Sequence, residues 1–217
     1  MIMLKAEQLD QVQAVVDSAF ERRKHEAPRR KRIIAIYSPA PQSGKSTVAR
    51  ALREALELEG HTSRVPLANP LKECLQGLLA DMGIPYGTAY QMLHGDLKEM
   101  PVITNSELTG RKMMQTFGVF AREVWGKDFW IDLWQNQVAK SISWNIIVDD
   151  LRMPNEYERM KAMGAILIKV VRPDADVVTH ATEGQLDDCK FDHVITNDGT
   201  LAELKASVAE VLYKLGA

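Results

Sequence analysis

The strongest constraint in this 217-residue chain is the order strand, loop, helix around residues 32–58. Arg32-Ile33-Ile34-Ala35-Ile36-Tyr37 is a short, β-branched apolar run, the pattern of a parallel strand buried on both faces. Ser38-Pro39-Ala40-Pro41-Gln42-Ser43-Gly44-Lys45-Ser46-Thr47 follows, and Ser46 to Leu58 reads as a helix with Gly60 as its stop. A glycine lets backbone approach an anion closely, and a helix N-terminus offers unpaired N–H groups and partial positive charge. Gly44 and Lys45 stand just where the loop enters the helix, so the segment is expected to cradle phosphate.

The pattern resembles the Walker A loop, in which Lys45 would neutralise the β- and γ-phosphates and Ser46 would bind Mg²⁺, with Ser43 and Thr47 beside them. Gly-Lys-Ser alone is also a plain helix cap; the strand before it and the helix after it favour the nucleotide reading. One departure is Pro39 in place of the usual first glycine, with Pro41 after it, which fixes φ and removes two N–H donors from the first half of the loop.

Strand and helix keep alternating downstream. Ile146-Ile147-Val148 reads as a strand, Asn155 to Met163 as a helix, Ala165 to Val171 as a strand and Val194-Ile195 as a last short one. Thr200 and Glu203 form a capping box for a final helix with Leu201, Leu204, Val208, Val211, Leu212 and Leu215 on one stripe. The expected fold is α/β, a P-loop NTPase with a parallel sheet flanked by helices. Residues 70–140 are helical in pattern and form an insertion. Residues 1–31 divide into an amphipathic helix (Leu9, Val12, Val15, Val16, Phe20) and a basic linker, ahead of a domain spanning 32–217.

Composition narrows the function classes. The chain is 46% hydrophobic and 26% charged, which excludes a wholly disordered protein. No apolar run approaches the length of a bilayer span and no signal peptide is visible, so the expectation is a cytoplasmic protein without membrane contact. Cys74 and Cys189 stand apart, and His25, His61, His94 and His193 lack metal-ligand spacing. The formal charge of −2 hides a split: residues 1–32 hold eight basic and five acidic side chains, against 19 basic and 24 acidic in the rest. Seven of the cations fall within residues 22–32.

Asp149 and Asp150 end the strand Ile146–Val148, where P-loop enzymes bring a carboxylate beside Mg²⁺. Plain turns also favour acids, but the pairing with a phosphate loop favours a site. Phosphoryl transfer further needs cations on the acceptor, and Arg111 and Arg122 are the first candidates, eleven residues apart and able to share one face of a continuous helix. Lys72 and Arg152 come next. Gln115 is a candidate for a base edge and Arg172, after a strand, for the adenine or the phosphates. Trp125, Phe129, Trp130 and Trp134 at helical spacing are more often core than a stacking platform.

Asp150-Leu151-Arg152-Met153-Pro154-Asn155-Glu156 resembles the Asp-x-Arg-Phe-Pro-Asn-Glu motif of the phage deoxynucleoside monophosphate kinases, with Met153 for Phe. The resemblance continues in Ala68-x-Pro70-Leu71-Lys72-Glu73, in Arg111-x-x-x-Gln115-x-x-Gly118-x-x-x-Arg122 followed by Trp130, in Arg172-Pro173, in His180-x-Thr182-Glu183 and in Phe191-Asp192-x-x-Ile195-x-Asn197-x-Gly199. It departs at Pro39, at Asn69 where an acid is common and at Thr182 where Ser is common, and it omits the first 31 residues.

The resemblance implies a kinase moving the γ-phosphoryl of ATP, with Mg²⁺, to an acceptor phosphate, with a helical acceptor-binding insertion and a lid. Together with the phosphate loop and the strand-end acids, it gives catalysis to Lys45, Asp149, Asp150 and Arg152; nucleotide binding to Ser43, Gly44, Lys45, Ser46, Thr47, Arg172 and Asn197; acceptor binding to Lys72, Arg111, Gln115, Arg122 and Trp130; and the metal to Ser46 and Asp149, with the division of metal and base roles between Asp149 and Asp150 left open. If phage-encoded, such a protein would act in the host cytoplasm, and a homodimer is compatible with it. The competing reading is a DNA kinase that phosphorylates 5-hydroxymethyluracil, towards hypermodified thymidine, with DNA held along residues 22–32. A monophosphate is its own dianionic nucleophile near neutral pH, whereas a hydroxymethyl group needs a base. A third reading is a nucleotide-binding module without catalysis.

Overall fold

The computed structural model describes residues 31–104, 106–173 and 184–215. The amphipathic segment 6–20, most of the basic segment 22–32, and His180, Thr182 and Glu183 lie outside the described residues. Among the described residues of the unit Arg32–Ala217, five parallel strands form one sheet in the order β2-β3-β1-β4-β5. They are β1 (Arg32–Tyr37), β2 (Thr62–Arg64), β3 (Asn145–Val148), β4 (Ile166–Val171) and β5 (His193–Thr196). The helices are α1 (Lys45–Leu56), α2 (Asn69–Asp81), α3 (Tyr86–His94), α4 (Gly110–Trp125), α5 (Phe129–Lys140), α6 (Pro154–Ala162) and α7 (Leu201–Lys214).

β1 is central because its side chains feed two layers. Ile34 and Ile36 pack with Val48, Leu52 and Leu56 of α1 and with Leu204, Val208, Val211 and Leu212 of α7. Ile33, Ala35 and Tyr37 point the other way, onto Trp134 and Val138 of α5 and Tyr157 and Met160 of α6. This two-sided burial is what the unalternating apolar run required. In register, Ala35 lies beside Val148 of β3 and Leu167 of β4. The loops after β1 and β3 therefore leave the same edge of the sheet as neighbours.

The segment between β2 and β3 has its own core. Leu71, Leu75 and Leu79 of α2, Ala89, Met92 and Leu93 of α3, Met113 and Ala121 of α4 and Trp130 of α5 are buried together. Thr109 caps α4 by accepting the Lys112 N–H. The capping box at Thr200 and Glu203 forms as expected, with the Thr200 N–H donating to Glu203 Oε2 at 2.6 Å. Its stripe is shorter than the pattern suggested, because Leu201 is exposed. Sequence reading missed β2, whose three residues Thr62-Ser63-Arg64 carry no apolar run.

Candidate active site

The phosphate loop joins β1 to α1. Ser38 bridges its stiff first half by donating its hydroxyl to the Ala40 carbonyl at 3.1 Å. Gln42 and Gly44 both take left-handed backbone conformations, at φ 55° and 98°. Gly44 is the residue before α1, and its carbonyl accepts the first helical N–H groups, from Thr47 and Val48, at 2.9 Å each. Asn197, at the end of β5, donates its amide to the Ser43 carbonyl at 2.9 Å. A Cβ at position 44 would collide with that amide nitrogen, so both φ and space demand glycine here. Ser43 Oγ is buried without a partner among the described residues. A loop cradled in this way, with an orphaned hydroxyl and Lys45 opening the helix, fits a nucleotide's phosphates.

Asp149 follows β3 on the neighbouring strand. Its side chain is only 3% exposed and its Oδ2 lies 2.7 Å from Arg64 Nη2. Its Oδ1 is buried with no hydrogen-bond partner among the described residues, the feature that fits a divalent cation. Among the described residues no cluster of three or more His, Cys, Asp or Glu side chains is arranged to hold a metal. One carboxylate with a Ser hydroxyl suits Mg²⁺, which keeps waters and takes its remaining oxygens from bound phosphates.

Asp150 is differently employed. Its two oxygens accept the N–H groups of Leu67 at 2.7 Å and Ala68 at 3.0 Å. It thereby fixes the turn that starts α2 and positions Lys72 one helical turn on. Burial pushes its pKa above the usual carboxylate range, against the pull of the two amides, and the Asp149 charge adds to the rise.

Lys72 and Asp150 line a cavity of about 330 Å³ together with Arg122, Trp130, Arg152, Glu156 and the apolar Leu67, Leu71 and Met153. Burial lowers the Lys72 pKa, and Asp150 offsets part of that. Trp130 is buried and donates its indole N–H to the Gly118 carbonyl at 3.1 Å, so its ring is at once core and cavity wall. The Arg122 guanidinium lies beside Gly118, at ordinary contact distance (3.8–3.9 Å) from where a Cβ would stand. Glu156 Oε2 accepts the N–H groups of Arg152 and Met153 at 2.9 and 3.0 Å. Burial raises this carboxyl to about 7, with the two amides and Arg122 opposing the rise.

Arg111 and Arg122 do lie on one continuous helix, but eleven residues of α4 separate them by about 16 Å along its axis. Only Arg122 borders the cavity; Arg111 pairs with Glu99 and is half exposed. Gln115 is exposed on the same helix. Trp134 donates to the Val65 carbonyl at 2.8 Å within the core, whereas Trp125 stays half exposed.

A second, smaller cavity of about 230 Å³ lies beyond the phosphate loop, lined by Thr47, Arg172, Asn197, Asp198, Gly199, Leu201 and Leu204. Arg172 Nη1 reaches the Gln42 carbonyl at 3.4 Å. The exposed Leu201 thus borders a cavity. Three side chains near the site carried no sequence signal: Arg64 on the missed strand β2, and Lys98 and His94 after and at the end of α3. His94 stacks on Tyr90 at 4.5 Å between centroids. Burial, with Lys72, Lys98 and Arg64 adding, lowers its pKa to about 4. Motif-free side chains of this kind are visible only once the fold gathers them.

Residues 87–208 match the sequence profile of the deoxynucleotide monophosphate kinase family. The chain belongs to that family. Proteins named deoxynucleotide monophosphate kinase from Enterobacteria phage T4 and Escherichia phage RB69 are 37% and 34% identical to it over 109 residues. That stretch is 47% of this chain and 44% of each phage protein, so the match spans less than half the length of those two relatives. A protein of Acanthamoeba polyphaga mimivirus that carries the same name provisionally is 30% identical over 182 residues, 76% of this chain and 89% of its own. The family profile covers Arg111, Gln115, Arg122, Trp130, Asp149, Asp150, Arg152, Arg172 and Asn197. The phosphate loop and Lys72 precede it; the loop leaves the same edge of the sheet as Asp149 and Asp150, and Lys72 lines one cavity with Asp150, Arg122, Trp130 and Arg152. Among the described residues no helix is long and apolar enough to cross a membrane.

Proposed function

We propose that this deoxynucleotide monophosphate kinase family member transfers the γ-phosphoryl group of ATP to a deoxynucleoside monophosphate. The observation that carries the reading is the cavity lined by Lys72, Arg122 and Arg152, which opens beside Asp150 at the strand end where Asp149 keeps an oxygen unpartnered among the described residues. Cations for an acceptor phosphate and a carboxylate for a metal are thereby neighbours.

In this reading the loop Ser43–Thr47 and Lys45 hold the donor phosphates, and Arg172 and Asn197 border the cavity for the donor base. Ser46 and Asp149 would hold Mg²⁺, which supplies charge neutralisation across the β- and γ-phosphates. Lys72, Arg122 and Arg152 draw the acceptor phosphate into line, and Trp130 and Leu71 give the acceptor an apolar wall. An acceptor oxygen forms its bond to the γ-phosphorus as the bond to the bridging oxygen of ADP breaks. The acceptor, with its second pKa near 6, is already mostly dianionic at neutral pH and needs no base. That suits Asp150, both of whose oxygens are engaged by backbone amides. A hydroxymethyl acceptor in DNA would need a base, and no observation on the described residues favours it.

The test is incubation with labelled ATP, Mg²⁺ and each of the four deoxynucleoside monophosphates. Label appearing in a diphosphate is the expected result. Failure with all four would overturn the reading, and lack of transfer to every acceptor, DNA included, alongside tight binding of Mg-ATP would leave a non-catalytic module.

A further inference from the structure

Arg64 is absent from every motif in the sequence, yet it makes the closest ionic contact in the site. It ends β2, the edge strand beside β3, and its Nη2 lies 2.7 Å from Asp149 Oδ2. The two partners are unequal: the Arg64 side chain is 52% exposed and that of Asp149 3%. A long, half-solvated guanidinium can leave such a contact at modest cost, whereas the buried carboxylate cannot be left without a cation. Asp149 Oδ1 meanwhile has no partner among the described residues, so Arg64 satisfies the carboxylate's charge while engaging only one of its two oxygens. Arg64 also stands within electrostatic reach of Lys72 and His94, and Lys72 lines the acceptor cavity.

We propose that Arg64 is a cationic placeholder. It holds Asp149 while the phosphate loop is empty, competes there with the divalent cation, and when displaced adds its charge to the acceptor side beside Lys72. This rests on the assignment of Asp149 to the metal. It couples the two halves of the site: loading of the metal nucleotide releases a cation for the acceptor's phosphate, and by linkage a bound acceptor phosphate favours metal loading. A rigid clamp that only orients Asp149 would act in the opposite sense, because its loss would weaken the metal.

The experiment measures Mn²⁺ and Mn²⁺–AMP-PNP affinity, and the affinity of each deoxynucleoside monophosphate with AMP-PNP and Mn²⁺ present. The proteins are the full chain and its variants Arg64→Ala, Arg64→Lys and Asp149→Asn, each checked by thermal melting. For Arg64→Ala the expected results are Mn²⁺ binding about tenfold tighter and acceptor binding about tenfold weaker, the scale of one half-exposed charge at contact distance. Arg64→Lys, which keeps the charge, should stay within about threefold of the parent in both. Unchanged or weaker Mn²⁺ binding in a folded Arg64→Ala protein would overturn the placeholder. Asp149→Asn should lose Mn²⁺–AMP-PNP binding; if it does not, the metal assignment falls and this proposal with it, an outcome distinct from failure of Arg64→Ala alone.

Discussion

The donor and acceptor halves of the site are built by different means. The donor half is backbone: a loop between β1 and α1, set by the left-handed Gly44 and braced by Asn197 on the Ser43 carbonyl. The acceptor half is side chains from α2, α4, α5 and the turn into α6, gathered around one cavity and held by Asp150 and Glu156 on backbone amides. A backbone site is local in sequence and tolerates little change. A side-chain site is dispersed, and its parts should fail one at a time and in separable ways.

The largest expected effect is on the donor half. Lys45→Ala should lower phosphotransfer at least about a thousandfold, the scale of losing a positioned cation on a transferring phosphoryl group. It should leave the melting temperature nearly unchanged. Steady-state kinetics with a full time course checks this, and a loss below about tenfold would break the assignment of the loop.

Next comes Glu156, which holds the turn into α6 within the acceptor half. Its carboxyl titrates at about 7 in the folded protein against an ordinary 4.5. The folded state therefore holds this proton more tightly than the unfolded chain. The contribution is fully present below about pH 4.5 and is lost as pH rises through about 7, a change of about 3 kcal/mol. Glu156→Gln should remove that slope from denaturant unfolding curves measured between pH 5 and 8. An identical pH dependence in both proteins would mean that the carboxyl is not held as described.

Arg122→Ala should raise the acceptor KM about thirtyfold, near 2 kcal/mol for a charge-assisted contact, and leave the KM for ATP within about twofold. A rise in both would erase the distinction between the halves. The smallest expected effect is at Arg111, where the motif alone would place a second acceptor cation. Its contact with Glu99 is exposed, so Arg111→Ala should change the acceptor KM by less than about threefold. A thirtyfold loss there would show that the cavity extends along α4 when the acceptor binds.

The same contrast governs what the sequence revealed. Arg32–Tyr37 appears in the fold as a strand with the bounds read from its apolar run, and the capping box at Thr200 and Glu203 marks the start of α7. Such features depend on neighbours in the chain. Asp149 and Asp150 were visible as a pair at a strand end, but their division of labour depends on Arg64 and on the amides of Leu67 and Ala68, about eighty residues away. Arg64 was hidden because a three-residue edge strand has no periodicity. Arg111 and Arg122 were correctly placed on one helix, but only the packing of α4 against α2 and α5 decides which end faces the cavity.

The most direct test of the whole account is a competition in one vessel. The full chain is given labelled ATP, Mg²⁺, the four deoxynucleoside monophosphates and duplex DNA containing 5-hydroxymethyluracil, and the products are separated by size and charge. The account predicts label in free deoxynucleoside diphosphate and none in DNA. Label confined to DNA would contradict it, because the cavity around Lys72 and Arg122 would then not be where the acceptor's phosphate is bound and phosphorylated.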